Sequence, residues 1–113
     1  MANLDLVFHS LADGTRRTVI AQLAGGPASI GDMARHHRMA LPSFMKHIRV
    51  LEESEIVISY KTGRVRICEL RPQTLTEAGA WLERERQLWT TRLNQLDAFI
   101  ETRTAEDQTD ADQ

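Results

Sequence analysis

Lys46 and Arg49 are the residues of this chain whose type and spacing point most directly to chemistry, and that chemistry is the capture of a polyanion. Residues 40–51 read Ala-Leu-Pro-Ser-Phe-Met-Lys-His-Ile-Arg-Val-Leu. A helical advance of about 100° per residue puts Phe44, Ile48 and Leu51 on one side and Pro42, Ser43, Lys46 and Arg49 on the other. Such a helix has an apolar back and a basic front, and its expected place is a groove of DNA. Pro42 fits within the first turn, where its missing N–H costs no hydrogen bond. No carboxylate interrupts the front before Glu52, so a polyanion has a clear approach over about two turns.

Other chemistries find less support. The residues able to ligate a metal are His9, His36, His37, His47 and Cys68, and the stretch after Pro72 contains neither histidine nor cysteine. Adjacent His36 and His37 point in different directions on a helix and make a poor chelate, so neither a metal nor another cofactor is expected. A single cysteine leaves no internal disulfide framework. Cys68 alternates with Arg66 and Leu70 and reads as a small buried hydrophobe. There is no glycine-rich phosphate loop, no nucleophile elbow and no carboxylate pair with a pocket, so the chain is not expected to be an enzyme.

The elements that must position the basic helix follow from the rest of the chain. With 113 residues it has the size of one small domain, and a partner chain would help it bury enough surface. No run of 18 apolar residues and no signal peptide is visible, so the expected location is the cytoplasm, with no membrane contact. The net charge of −2 conceals an asymmetry: Glu106, Asp107, Asp110 and Asp112 in the last ten residues account for more than all of it. Between Arg35 and Arg66, seven cations (Arg35, Arg38, Lys46, Arg49, Lys61, Arg64 and Arg66) face only Glu52, Glu53 and Glu55. Such a run is either a solvated face or a nucleic-acid footprint.

Asn3 can cap a first helix carrying Leu4, Val7, Phe8 and Leu11. Asp13 can cap a second, residues 15–24, which turns Val19, Ile20 and Leu23 inward and shows Arg16 and Arg17 near its start. Gly25-Gly26-Pro27 ends it. Ser29 and Asp32 form a variant capping box opening a short third helix through about His36. A turn at residues 37–39 then leads into the basic helix, which is the helix-turn-helix pattern. Residues 56–61 and 64–70, rich in β-branched side chains and joined by Thr62-Gly63, predict a hairpin with a basic tip. A helix-turn-helix followed at once by such a hairpin is a winged helix, mainly α with a small β wing, whose Lys61, Arg64 and Arg66 can reach phosphates.

From Pro72 the pattern predicts one long helix to about Arg103. Leu75, Ala78, Trp81, Leu82, Leu88, Trp89, Leu93, Leu96, Phe99 and Ile100 recur on it at steps of mostly three and four, more apolar surface than so small a domain covers alone. Its tryptophans suit either a subunit interface or an intramolecular core. Residues 1–103 thus form the expected DNA-binding and dimerisation domain, and residues 104–113 an acidic disordered tail.

Three stretches resemble the ArsR family of bacterial winged-helix transcriptional regulators: Leu-Ala-Asp-Gly-Thr-Arg-Arg from Leu11, Leu-Pro-Ser-Phe-Met-Lys-His-Ile-Arg-Val-Leu-Glu from Leu41, and Lys-Thr-Gly-Arg from Lys61. The resemblance covers nearly everything except the tail. It implies a homodimer held by the first and last helices, with Leu4 and Phe8 joining Trp81, Leu82, Trp89, Leu93, Leu96, Phe99 and Ile100 at the interface. It also implies a palindromic operator in double-stranded DNA, repression of transcription, and release by an effector, here an unknown small molecule if one exists. The expected DNA contacts are Pro42, Ser43, Met45, Lys46, His47 and Arg49 on the helix, with Lys61, Arg64 and Arg66 on the wing.

Three departures from the family pattern stand out. Met45 replaces a common serine, which favours apolar contact with a thymine methyl over a hydroxyl donor. Glu55 stands where glycine is usual, so a positive φ there would be strained. The cysteine pair of metal-sensing members is absent from residues 30–36. His47 suits either a phosphate contact or a hydrogen bond to the neighbouring helix. The competing function is a winged-helix module that binds a protein and no DNA.

Overall fold

The computed structural model describes residues 3–111, with side-chain surroundings through residue 107. The order of elements is α1 (Leu4–Leu11), α2 (Gly14–Leu23), β1 (Ala28–Ser29), α3 (Ile30–Ala34), α4 (Leu41–Glu53), β2 (Val57–Thr62), β3 (Val65–Leu70) and α5 (Pro72–Ala111). The chain divides into two units, Met1–Ala78 and Gly79–Gln113.

In the first unit each early helix starts where a short polar side chain can satisfy an orphan N–H. Asn3 accepts from the Leu6 N–H at 3.2 Å, Asp13 from Arg16 at 3.1 Å, and Ser29 from Asp32 at 3.0 Å. Once capped, the helices turn Val7, Val19, Leu23, Ile30 and Met33 into a core shared with Phe44, Ile48, Leu51, Ile56, Val57 and Cys68. Helix α3 is shorter than its capping box suggested, ending at Ala34, so six residues rather than three or four lead into α4.

Helix α4 ends in a Schellman closure: the Glu55 N–H donates to the Glu52 carbonyl and the Ile56 N–H to Leu51, at 3.0 and 3.1 Å. This geometry puts the intervening residue in the left-handed region, and Glu55 takes it at φ 62°. The apolar contact that usually accompanies such a closure falls to Leu51 and Ile56, both fully buried. The chain entering α5 locks onto the same turn. The Arg71 N–H donates to the Ile56 carbonyl at 2.8 Å, and the Thr74 hydroxyl donates to the Glu55 carbonyl.

Strands β2 and β3 pair antiparallel in the register Val57↔Leu70 to Thr62↔Val65. The turn is therefore Gly63-Arg64, one residue later than the spacing predicted. Gly63, at φ 64°, supplies the positive φ that a two-residue hairpin requires. A third strand, too short to leave a pattern in the sequence, pairs Ala28 with Cys68 and Ser29 with Ile67, giving the order β1-β3-β2.

The second unit is the remainder of α5. The residues expected to form an unstructured tail from Thr104 continue as helix to Ala111. After Gly79 nothing on α5 is glycine or proline, so no residue stops the helix where the apolar pattern ends. Asp112 and Gln113, the end of that expected tail, lie outside the described residues.

Candidate nucleic-acid interface

The amphipathic split expected of α4 is realised in full. Phe44, Ile48 and Leu51 are completely buried, while Pro42, Ser43, Lys46 and Arg49 are exposed. Ala40 provides no side-chain cap and the first turn holds no carboxylate. The positive end of the helix dipole therefore adds to the field of the two cations.

Two residues expected among the DNA contacts lie differently. Met45 is half-buried and packs against the core. It lies on the helix between the buried back and the exposed front. His47 is turned toward the start of α2: its Nδ1 lies 3.0 Å from Nη1 of Arg16 and 3.7 Å from a carboxylate oxygen of Asp13. Of its two readings, the bond to the neighbouring helix is the one the geometry supplies.

Arg16 is the residue that sequence reasoning misplaced. Expected on show near the start of α2, it is buried, with only 8% of its surface exposed. Its Nε donates to the Ser10 carbonyl at 2.8 Å and its Nη2 to the His9 carbonyl at 2.9 Å. The last carbonyls of α1 carry the negative end of its dipole, and although that of His9 also accepts the Ala12 N–H at 3.2 Å, a guanidinium completes their bonding and complements the dipole. A signal was available: Arg16, Val19, Ile20 and Leu23 follow the spacing of one helical face, and the other three are apolar.

The wing brings its cations to the helix side. Lys61 pairs directly across from Arg66. Alternation places both on the hairpin face that carries Ser59 and Cys68, then Val57 and Leu70, toward its base. Glu52 of α4 accepts a hydrogen bond from the Ser59 hydroxyl at 2.8 Å, which ties α4 to the hairpin and engages the first carboxylate that follows the basic front in sequence. Arg64 projects from the turn. Among the described residues, Lys46, Arg49, Lys61, Arg64 and Arg66 form no ion pair, whereas Arg35 pairs with Asp32 at 3.2 Å.

Two further histidines are engaged elsewhere. His36 Nδ1 lies 2.9 Å from the Asp32 carbonyl. His37 Nε2 lies 3.3 Å from the Gln22 amide oxygen, and its ring stands 5.1 Å from that of Phe44. Cys68 is fully buried, and burial pushes its thiol up to about 11, with the Glu52 charge adding to the effect. Among the described residues no three His, Cys, Asp or Glu side chains converge as metal ligands would.

Of the residues expected at a subunit interface, Leu4 is half-buried against the core, and Phe8 and Trp81 are half-buried. Leu82, Trp89, Leu93, Leu96, Phe99 and Ile100 are all at least half exposed, Trp89 at 61%. An apolar row of that size left in water is unusual on a lone soluble chain. Among the described residues no helix is long and apolar enough to cross a membrane.

Comparison with known proteins agrees with this geometry. Residues 11–59 match the family described as a helix-turn-helix domain. The chain is 32% identical over 98 residues to the HTH-type transcriptional regulator Rv2034 of Mycobacterium tuberculosis, covering 87% of this chain and 89% of that one. It is 29% identical over 76 residues to the transcriptional repressor SdpR of Bacillus subtilis, covering 67% and 84%. Among solved structures, the crystal structure of an ArsR family transcriptional regulator superposes with a TM-score of 0.73 at 45% identity, covering 76% of this chain and 94% of the other.

Proposed function

The chain belongs to the ArsR family of winged helix-turn-helix regulators and is a DNA-binding transcriptional regulator; from that premise we propose that it is a homodimeric repressor acting at a palindromic operator. The observation that carries this reading is the unpaired cationic set on α4 and the wing. Lys46 and Arg49 enter the major groove with Pro42 and Ser43 beside them, and Lys61, Arg64 and Arg66 grip the phosphates alongside. Met45 contributes only the part of its side chain that remains exposed. Its apolar end suits a thymine methyl.

The second copy is recruited through Leu82, Trp89, Leu93, Leu96, Phe99 and Ile100 of α5, and Trp81 of α5 and Leu4 and Phe8 of α1 are the further residues assigned to the subunit contact. Their heptad-like spacing is that of a helical seam, and the exposed apolar row supports pairing with a copy that presents the same row. Two-fold symmetry then calls for half-sites about one helical turn of DNA apart, or a multiple of it. Repression is the role named for the Bacillus subtilis relative.

The test is a titration of the full chain against random-sequence and palindrome-enriched DNA duplexes at two salt concentrations. Affinity should collapse with salt, log K falling about 0.9 per phosphate contact. A palindrome should be enriched. Lys46→Ala should weaken binding more than Gln87→Ala, and by about tenfold or more if Lys46 makes a charged contact in the groove. Binding that ignores salt, or variants that both bind like wild type, would overturn the assignment.

A further inference from the structure

We propose that Arg16, through a neutral His47, is a positioning residue for DNA recognition, setting the orientation of the helix that carries Lys46 and Arg49. The inference rests on the DNA-binding reading above and goes beyond it, because Arg16 is buried and can touch no DNA itself. Its guanidinium has three partners within 3.0 Å: the Ser10 and His9 carbonyls at the end of α1 and Nδ1 of His47 on α4. The planar fork of an arginine fixes these directions relative to one another, so α4 is held against α1 in one rotational setting. His47 follows Lys46 directly and precedes Arg49 by two residues, so a small turn of the helix about its axis moves both cations relative to the groove.

The hydrogen-bond chemistry also dictates the state of the ring. Arginine only donates, so Nδ1 of His47 must accept, and its proton resides on Nε2. Protonating the ring turns Nδ1 into a donor facing a guanidinium at 3.0 Å. The bond is lost, and the Asp13 carboxylate, 3.7 Å away, becomes the competing partner. The charged groups that face the ring from the neighbouring elements are thus Arg16 and Asp13, both at the start of α2. On α4 itself Lys46 and Arg49 point outward, and α1 supplies the carbonyls that hold Arg16. The latch closes with the ring neutral and opens with it charged.

The test compares wild type, His47→Gln and Arg16→Met, each as the full chain, binding the DNA duplex enriched from the palindrome pool. Measurements run between about pH 8 and about pH 5.5, the range in which histidine ordinarily changes charge. Glutamine keeps an acceptor for Arg16 but takes up no proton, and His9, His36 and His37 are common to all three proteins. The ratio of wild-type to His47→Gln affinity should fall about tenfold as the pH drops, and Arg16→Met should bind about tenfold more weakly at pH 8. Circular dichroism checks that Arg16→Met is folded; if it is not, the pH comparison between wild type and His47→Gln decides alone. Parallel pH profiles for those two would overturn the proposal. So would a wild-type affinity that rises relative to His47→Gln in acid, because that sign belongs to a histidine on a phosphate. Absence of salt-dependent DNA binding by wild type is a different result, overturning the DNA reading and this proposal with it.

Discussion

The hydroxyl of Ser10 on α1 donates to the hydroxyl of Ser54, at the end of α4, across 2.9 Å, and both side chains are buried. Ser54 in turn donates to the Leu51 carbonyl at 3.0 Å. Ser10 also lies within 3.3 Å of the Val50 carbonyl, so the end of the recognition helix is pinned to α1 by a small buried polar cluster. Ser10→Ala should destabilise the fold by about 1 kcal/mol, and combining it with Ser54→Ala should cost less than the sum of the two single changes. Urea unfolding of the four proteins measures the coupling. Strict additivity would show that the two hydroxyls act independently.

Glu55 occupies a left-handed conformation that an L side chain tolerates poorly. Its carboxylate lies 3.8 Å from Arg71, but both partners are about half exposed, and such a pair contributes little. Glu55→Gly should therefore raise stability by roughly 1 kcal/mol, the relief of strain exceeding the lost ion pair. A lower denaturation midpoint for the glycine variant would show that Arg71 matters more than the backbone.

Asp13 links stability to pH. Its carboxyl is held below the usual carboxylate value, chiefly because the Arg16 backbone N–H donates to it, with the charge of a protonated His47 and that of Arg16 adding to the effect. A folded value below the unfolded one means that the cap contributes fully above the unfolded value and fades as pH falls through the folded one. Near neutral pH, Asp13→Ala should lose about 1 kcal/mol. Thermal melts across the acid range should show the gap to wild type closing. A gap that stays constant down to about pH 2 would remove the carboxylate from the explanation.

Cys68 should be chemically silent in the native state. With its thiol pushed up to about 11 and no exposed surface, almost none of it is thiolate at pH 8. A disulfide reagent should label the folded protein at least about a hundredfold more slowly than the urea-unfolded chain. Equal rates would place the thiol at the surface.

Leu93 stands in the exposed row of α5. A charge there should be tolerated in a lone chain and excluded from a helical seam. Leu93→Glu should halve the mass measured by light scattering and weaken operator binding with it, because a monomer holds only one half-site. A variant that keeps the wild-type mass would move the subunit contact off this row.

How much of this was legible in the sequence depends on the range over which each feature is decided. The split of α4 into Phe44, Ile48 and Leu51 behind and Lys46 and Arg49 in front follows from a local period, and so do the caps at Asn3, Asp13 and Ser29. The need for positive φ at Glu55 was visible as a departure from a glycine. These are properties of a few neighbouring residues, and the chain determined them alone. Residues 104–111 depart from the expected tail because low hydrophobicity argues against packing but does not by itself end a helix that lacks glycine and proline. The two-residue strand β1 has no period of its own and exists only because β3 offers an edge. The inward turn of His47 and the burial of Arg16 were decided by tertiary structure, since both depend on α1, α2 and α4 converging on one guanidinium. Spacing can nominate the face on which a side chain lies, but only the meeting of three helices supplies the carbonyls and the ring nitrogen that allow a charge to be buried there.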